Sequence, residues 1–184
     1  MVAYVFSVLN QLSLALRLQA LVPALAPAAA YADAVAANRA ATAHVRPELL
    51  LAVAFVESRY DPTATSWVSA GDGVRHTGHY AGTAPPARLD PHASLYCGPL
   101  QTYAASWSAC LRLRDLDIAY AAGARELEQW LRDRRVHGNV LLALAGHGCG
   151  NLGVATGRCN GYPERVAWLE RRLSVRPAIV RAGS

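Results

Sequence analysis

Lysine is absent from this chain of 184 residues: all 18 basic side chains are arginine, set against 13 acidic ones for a net charge of +5. Arginine stays charged at any working pH and can hold a carboxylate with two hydrogen bonds, so the surplus suits an acidic partner. Basic runs interleaved with aromatics are also missing, which argues against a nucleic-acid surface. Arg132, Arg134 and Arg135 follow Asp115 and Asp117 at a distance that makes them the basic end of one helix, complementing its dipole. No Cys-x-x-Cys pattern occurs, and His76, His79 and His92 lie loosely in a Gly-rich stretch, so neither a metal nor another cofactor is expected. No internal repeat is visible. A continuous membrane span is disfavoured near the start, because Arg17 and Pro23 interrupt the apolar run.

What is present fits one globular domain, with 53% hydrophobic and 17% charged residues. Residues 1–30 carry a single charge, Arg17, and end in small residues, Ala28-Ala29-Ala30. They read as an export or membrane-association segment that lacks a basic start, against the alternative of an amphipathic helix packed on the domain. The domain proper then covers residues 31–176, with a loose tail at 177–184. Within it the pattern predicts helices from Tyr31 to His44, from Pro47, over Gln101–Leu113, over Asp115–Arg135 and from Pro163. Gly71, Gly73, Gly78, Gly82, Pro85, Pro86 and Pro91 make 66–97 a loop, with a small hairpin around Val74–Tyr80. Val140–Ala145 is short and apolar, and the Gly- and Cys-rich stretch 146–161 reads as a second long loop. The fold class is therefore mainly α with two long loops, which in a compact domain are usually functional. Cys97, Cys110, Cys149 and Cys159 fall into two close pairs. Disulfides Cys97–Cys110 and Cys149–Cys159 would staple the two loops, with other pairings and four free thiols left open.

Glu57 stands out chemically. It follows the apolar run Leu49-Leu50-Leu51-Ala52-Val53-Ala54-Phe55-Val56, with Pro62 just beyond. A carboxyl group there is expected to resist ionisation, through burial and through the negative end of the helix dipole. A carboxylic acid kept protonated is what protonating a leaving oxygen requires. The plainer alternative is a helix-end Glu that reaches solvent or pairs with Arg59.

The stretch Glu57-Ser58-Arg59-Tyr60-Asp61-Pro62-Thr63-Ala64-Thr65-Ser66 resembles the first motif of soluble lytic transglycosylases and goose-type lysozymes. Gly98-Pro99-Leu100-Gln101 resembles that family's Gly-Leu-Met-Gln element. Ala143-Leu144-Ala145-Gly146-His147-Gly148 falls where the family has an Ala-Tyr-Asn-Ala-Gly loop, and Pro163-Glu164-Arg165-Val166-Ala167-Trp168-Leu169 resembles its last helix. The ordered set spans roughly residues 31 to 174. The family's loop Tyr and Asn are missing, its late Tyr is Trp168, and about thirty extra residues separate the first two motifs.

The resemblance implies a lysozyme-like domain that cuts peptidoglycan glycan strands, outside the cytoplasm, in the periplasm, or on a virion or secretion assembly. Glu57 would protonate the glycosidic oxygen and then take the proton of the sugar's own 6-hydroxyl, leaving a 1,6-anhydro end. Ser58, Gly98, Pro99, Gln101, His147 and Trp168 would bind or position substrate. Hydrolysis would need a second carboxylate, for which Asp72 and Asp90 in the insertion are the candidates. Asp61 reads as a turn residue serving its own backbone. Trp67, Tyr80, Tyr96 and Trp107 could offer stacking faces to sugars, although such residues more often anchor cores and loops. A competing expectation is a structural or peptidoglycan-binding module without turnover, supported by the missing Tyr-Asn pair.

Overall fold

Pro47 opens the central helix at the first helical position, where its missing N–H costs nothing. The computed structural model describes residues 2–69 and 73–175, so the Asp72 candidate and the 177–184 tail lie outside the described residues. Among these, seven helices and four strands follow in the order α1 Val2–Leu21, α2 Pro27–Ala40, α3 Pro47–Ser58, β1 Ala64–Val68, β2 Arg75–His79, β3 Ser94–Cys97 and β4 Thr102–Ala104. Four further helices complete the chain: α4 Trp107–Arg112, α5 Leu116–Arg132, α6 Val140–Thr156 and α7 Tyr162–Ser174. The fold is mainly helical, as the sequence indicates, with a small antiparallel sheet in addition.

α3 is apolar on every side and is accordingly the buried one: Leu49 through Ala54 are all in the core. Each of its leucines contributes about 2 kcal/mol by leaving water. α5 and α7 are amphipathic and lay one stripe each on this centre, Tyr120, Ala124 and Leu127 from α5 and Val166, Leu169 and Leu173 from α7. Ile118, although apolar, lies on the exposed side of α5. Residues 8–30 are not set apart in packing. Leu14, Ala15 and Leu18 of α1 are buried in the same core as α2 and α3, and the Arg17 side chain lies 3.9 Å from Glu48. No helix among the described residues is long and apolar enough to cross a membrane.

Three expectations about local structure are corrected. The 66–97 stretch is loop only in part: it also carries the end of β1, all of β2 and all of β3, and β1 pairs with β2 and with β3, and β3 with β4, in the spatial order β2-β1-β3-β4. The hairpin expected around Val74–Tyr80 is instead one strand, β2, whose partner is β1, and Trp67, Leu95, Cys97 and Ala104 form a second small core with Cys110 and Leu113. Helix does not resume at Gln101, because Thr102–Ala104 pairs with β3; it starts at Trp107, capped by the Ser106 hydroxyl. The Gly-rich stretch after Ala145 is also no loop. It continues α6, kinked at Gly150, whose φ of 60° only glycine adopts freely. Glycine serves there for close approach, since a Cβ on Gly146 would strike the Trp130 ring. Both close-paired disulfides form, Cys97–Cys110 tying β3 to α4 and Cys149–Cys159 tying α6 to the turn before α7.

Candidate active site

α3 ends at Ser58, and Arg59 and Tyr60 then take left-handed backbone conformations that turn the chain toward the sheet. Glu57 thus lies on the last helical turn, where the helical body meets the sheet. Its carboxyl opens into a cleft of about 520 Å³. Ser66, Arg75, Tyr96, Gln101 and Tyr103 wall the cleft on the sheet side, and Glu126, Trp130 and the α6 stretch 146–150 on the helical side.

At the back of the cleft His147 is almost fully buried, its side chain 2% exposed, between two carboxylates. Its Nδ1 lies 2.9 Å from Glu126 Oε1, and its Nε2 lies 3.2 Å from the Leu100 carbonyl oxygen and 3.7 Å from Glu57 Oε1. Burial alone would push the imidazole pKa down. The hydrogen bond and charge of Glu126, the charge of Glu57 and the Leu100 carbonyl outweigh it and hold the pKa up at about 9. At neutral pH His147 is therefore an imidazolium with both N–H groups committed, a fixed cation beside Glu57. A buried charge of this kind is tolerable only because it is paired and hydrogen-bonded.

Tyr162 closes the same corner, its ring 6.3 Å from that of His147. Burial pushes its phenol pKa well above the ordinary value, and the charge of Glu57 pushes it further. The hydroxyl is buried without a well-formed hydrogen bond, despite lying close enough to Glu57 to feel its charge.

The other sequence candidates divide. Gln101 lines the cleft, but its amide is already committed: Oε1 accepts from Ser66 Oγ at 2.9 Å, and Nε2 donates to the Ala64 and Gly98 carbonyls at 3.0 Å each. Ser58 is a latch. Its hydroxyl donates to the Pro99 carbonyl at 2.9 Å and accepts from Asp61 N at 3.1 Å, tying the end of α3 to the 98–101 turn. Gly98, at φ 75°, fits under the Leu113 carbonyl, where any Cβ would collide. Ser58 and Gly98 hold the wall from behind and do not line the cleft. Trp168 is half exposed under the Arg172 guanidinium, 4.9 Å from its ring centre, and is not part of the cleft wall.

Asp90 lies outside the wall as well; its carboxylate accepts from His92 N at 2.8 Å within its own turn. Asp61 accepts from Thr63 N and Oγ1 at 2.7 Å each and also bonds His79, as a turn residue should. Of the proposed stacking residues only Tyr96 lines the cleft, while Trp67 is buried in the sheet core. Sequence reasoning missed Glu126, Trp130, Tyr103 and Tyr162. Glu126 sits between Arg125 and Leu127 on a charged helix and carried no signal; only the pairing with His147 reveals it. No group of three or more His, Cys, Asp or Glu side chains among the described residues could hold a metal ion. No protein-family model, curated protein or solved structure matches the chain.

Proposed function

We propose that this protein is a lysozyme-like enzyme that cleaves the glycan strands of peptidoglycan as a lytic transglycosylase, with Glu57 as the acid and then the base. The observation that carries the reading is the setting of Glu57. The carboxyl at the end of the most buried helix opens into a cleft whose walls mix aromatic rings with polar groups, as a sugar chain requires. Protonated Glu57 gives its proton to the glycosidic oxygen as the bond to the anomeric carbon breaks. The sugar's own 6-hydroxyl then closes onto that carbon and returns its proton to Glu57. The His147 imidazolium supports the ionised stage of this cycle, and Tyr96, Tyr103 and Trp130 supply stacking faces. Two disulfides and a surplus of arginine suit an enzyme working on an acidic polymer in an oxidising compartment.

A hydrolytic version is favoured by one observation, the presence of Glu126 in the same cleft. Glu57 and Glu126 face each other across one imidazole ring, no farther apart than the roughly 9 Å at the top of the range that accommodates an attacking water. Glu126 thereby replaces Asp72 and Asp90 as the second carboxylate to test. Digestion of purified peptidoglycan by wild type, Glu57→Gln and Glu126→Gln, with mass spectrometry of the products, separates the versions. Anhydro ends from wild type and Glu126→Gln but not from Glu57→Gln are the expected result. Reducing ends that vanish in both variants mean hydrolysis. Release of nothing by wild type, oxidised or reduced, leaves a binding module and sinks the enzyme reading.

A further inference from the structure

Beside the cleft, on the outer strand of the sheet, lies a second depression of about 470 Å³, lined by Trp67, Arg75, His76, Thr77, Tyr80 and the Pro86–Arg88 turn. Its polar lining is unusual in sign. Arg75, Arg88 and His76 bring positive charge or N–H donors, Thr77 and Tyr80 bring hydroxyls, and no carboxylate is among the described lining residues. Neither Arg75 nor Arg88 has a carboxylate partner among the described residues; the Arg75 guanidinium lies 5.9 Å from the centre of the Tyr96 ring. Trp67 adds an independent mark. It is 2% exposed, and its indole N–H is buried with no hydrogen-bond partner among the described residues, an unmet donor that an acceptor would satisfy.

The depression is also a fixed shape. The Trp67 and His76 rings stack at 5.0 Å on neighbouring strands. Arg114 holds the chain at Tyr80, Ala81 and Gly82 through their carbonyls, and the Trp107 indole holds Thr83. The Pro86–Arg88 wall is closed as a turn by Leu89 N donating to the Pro86 carbonyl at 2.9 Å. Asp90, nearby in sequence, is turned toward His92 N.

We infer that this depression is an anion site for a carboxylate or phosphate group, held by Arg75 and Arg88 over the His76–Trp67 stack. Arg75 lines both this site and the Glu57 cleft. A polymer lying along the cleft would therefore carry an acidic substituent across Arg75 into the site, a step that rests on the glycan reading, whereas the anion site itself does not. The site would make the protein prefer glycans bearing carboxylates or phosphates over neutral ones of the same length.

The four tryptophan indole N–H signals in a ¹⁵N-labelled sample provide the test, because Trp67 reports on this site and Trp130 on the cleft. Titration with inorganic phosphate, and separately with acetate, should move the Trp67 signal saturably in the millimolar range and leave Trp168 still. Arg88→Gln, at an exposed position, should weaken that response about tenfold, the loss of one charge-assisted contact. No saturable shift, or an equal one in Arg88→Gln, overturns the site. Glu57→Gln titrated with peptide-bearing glycan fragments and with neutral chitin oligosaccharides then tests the link. Trp130 should move with both ligands and Trp67 only with the acidic one. Movement of Trp130 with both ligands and of Trp67 with neither leaves the anion site standing and overturns its connection to the cleft. A still Trp130 with every glycan instead sinks the glycan reading.

Discussion

Two carboxylate clusters, one buried and one at a cleft, can be compared within this one chain. Asp33 on α2 is 2% exposed and accepts a hydrogen bond from the Tyr120 hydroxyl at 2.9 Å, deep between α2 and α5. Burial pushes its pKa up to about 7, although the Tyr120 bond pulls the other way. Glu57 and Glu126, in contrast, are about one-fifth exposed, face a cleft and share the buried cation His147. Asp33 is the acid whose proton burial retains, yet it lines neither of the two clefts described above. Perturbation by burial alone therefore does not mark a site; a carboxylate beside open space and a fixed counter-charge marks one better. The comparison also separates two ways of keeping charge out of water, neutralising the acid in the core and pairing it at the cleft.

The sharpest test of that distinction is activity. Glu57→Gln should lower peptidoglycan cleavage by about 10³-fold, the scale of a lost general acid. Asp33→Asn should leave the rate within about twofold, since nothing reacts near it. Turbidity loss of a peptidoglycan suspension measures both, and an inactive but folded Asp33→Asn would break the comparison.

The His147 clamp comes next. Its imidazole is raised from an ordinary value of 6.5 to about 9 in the fold. A raised group stabilises fully below its unfolded pKa and loses that contribution as pH climbs through the folded one. Stability from this clamp is thus complete below pH 6.5 and drains away through about pH 9. Glu126→Gln removes the hydrogen-bonded charge that lifts the imidazole, so the alkaline limb of the activity profile should move toward neutral pH. An unmoved limb would mean that His147 does not govern it.

How much of this was readable beforehand differs between the two lobes. α3, α5 and α7 were legible because their apolar residues recur at helical spacing, and Pro47 and Pro163 mark two of the starts. The sheet was not, since its strands are three to five residues long and sit among glycines and prolines that usually break structure. α6 was misread for the same reason: its glycines admit Trp130 and Tyr162 rather than end the helix. At the site Glu57, Gln101 and His147 were named in advance and meet at one cleft. Glu126 and Tyr162 come from sequence positions far from Glu57 and carry no local pattern. Trp168 matched a motif position, but helical phase turns it to solvent.

The Cys149–Cys159 bridge sharpens the comparison at lower energy. The cleft corner is held by this cross-link, because Cys149 lines the cleft and Cys159 packs beside Tyr162. The Asp33 cluster is held by packing and the Tyr120 hydrogen bond, without a cross-link. Closing a loop of ten residues contributes about 2–3 kcal/mol. The double variant Cys149→Ala/Cys159→Ala should therefore lower the unfolding free energy from denaturant titration by that much and raise KM, as His147 and Tyr162 loosen. Loss of stability with unchanged kinetics would show that the corner is rigid without its bridge.

Asp33→Asn gives the smallest effect and the cleanest sign. The carboxyl is raised from 3.8 to about 7, so folding favours its protonated form. Its stability contribution is complete below about pH 3.8 and falls as pH rises through 7, because ionised Asp33 must remain buried. Asparagine keeps an oxygen to accept from Tyr120 and cannot ionise. The variant should match wild type near pH 4 and exceed it by about 1–3 kcal/mol at pH 8, where wild type carries the buried charge. Urea unfolding at the two pH values reads the difference directly. A variant less stable than wild type at pH 8 would mean that the ionised carboxylate is held by its phenols more tightly than burial opposes it. The two clusters would then differ in access to the cleft and no longer in how they carry charge.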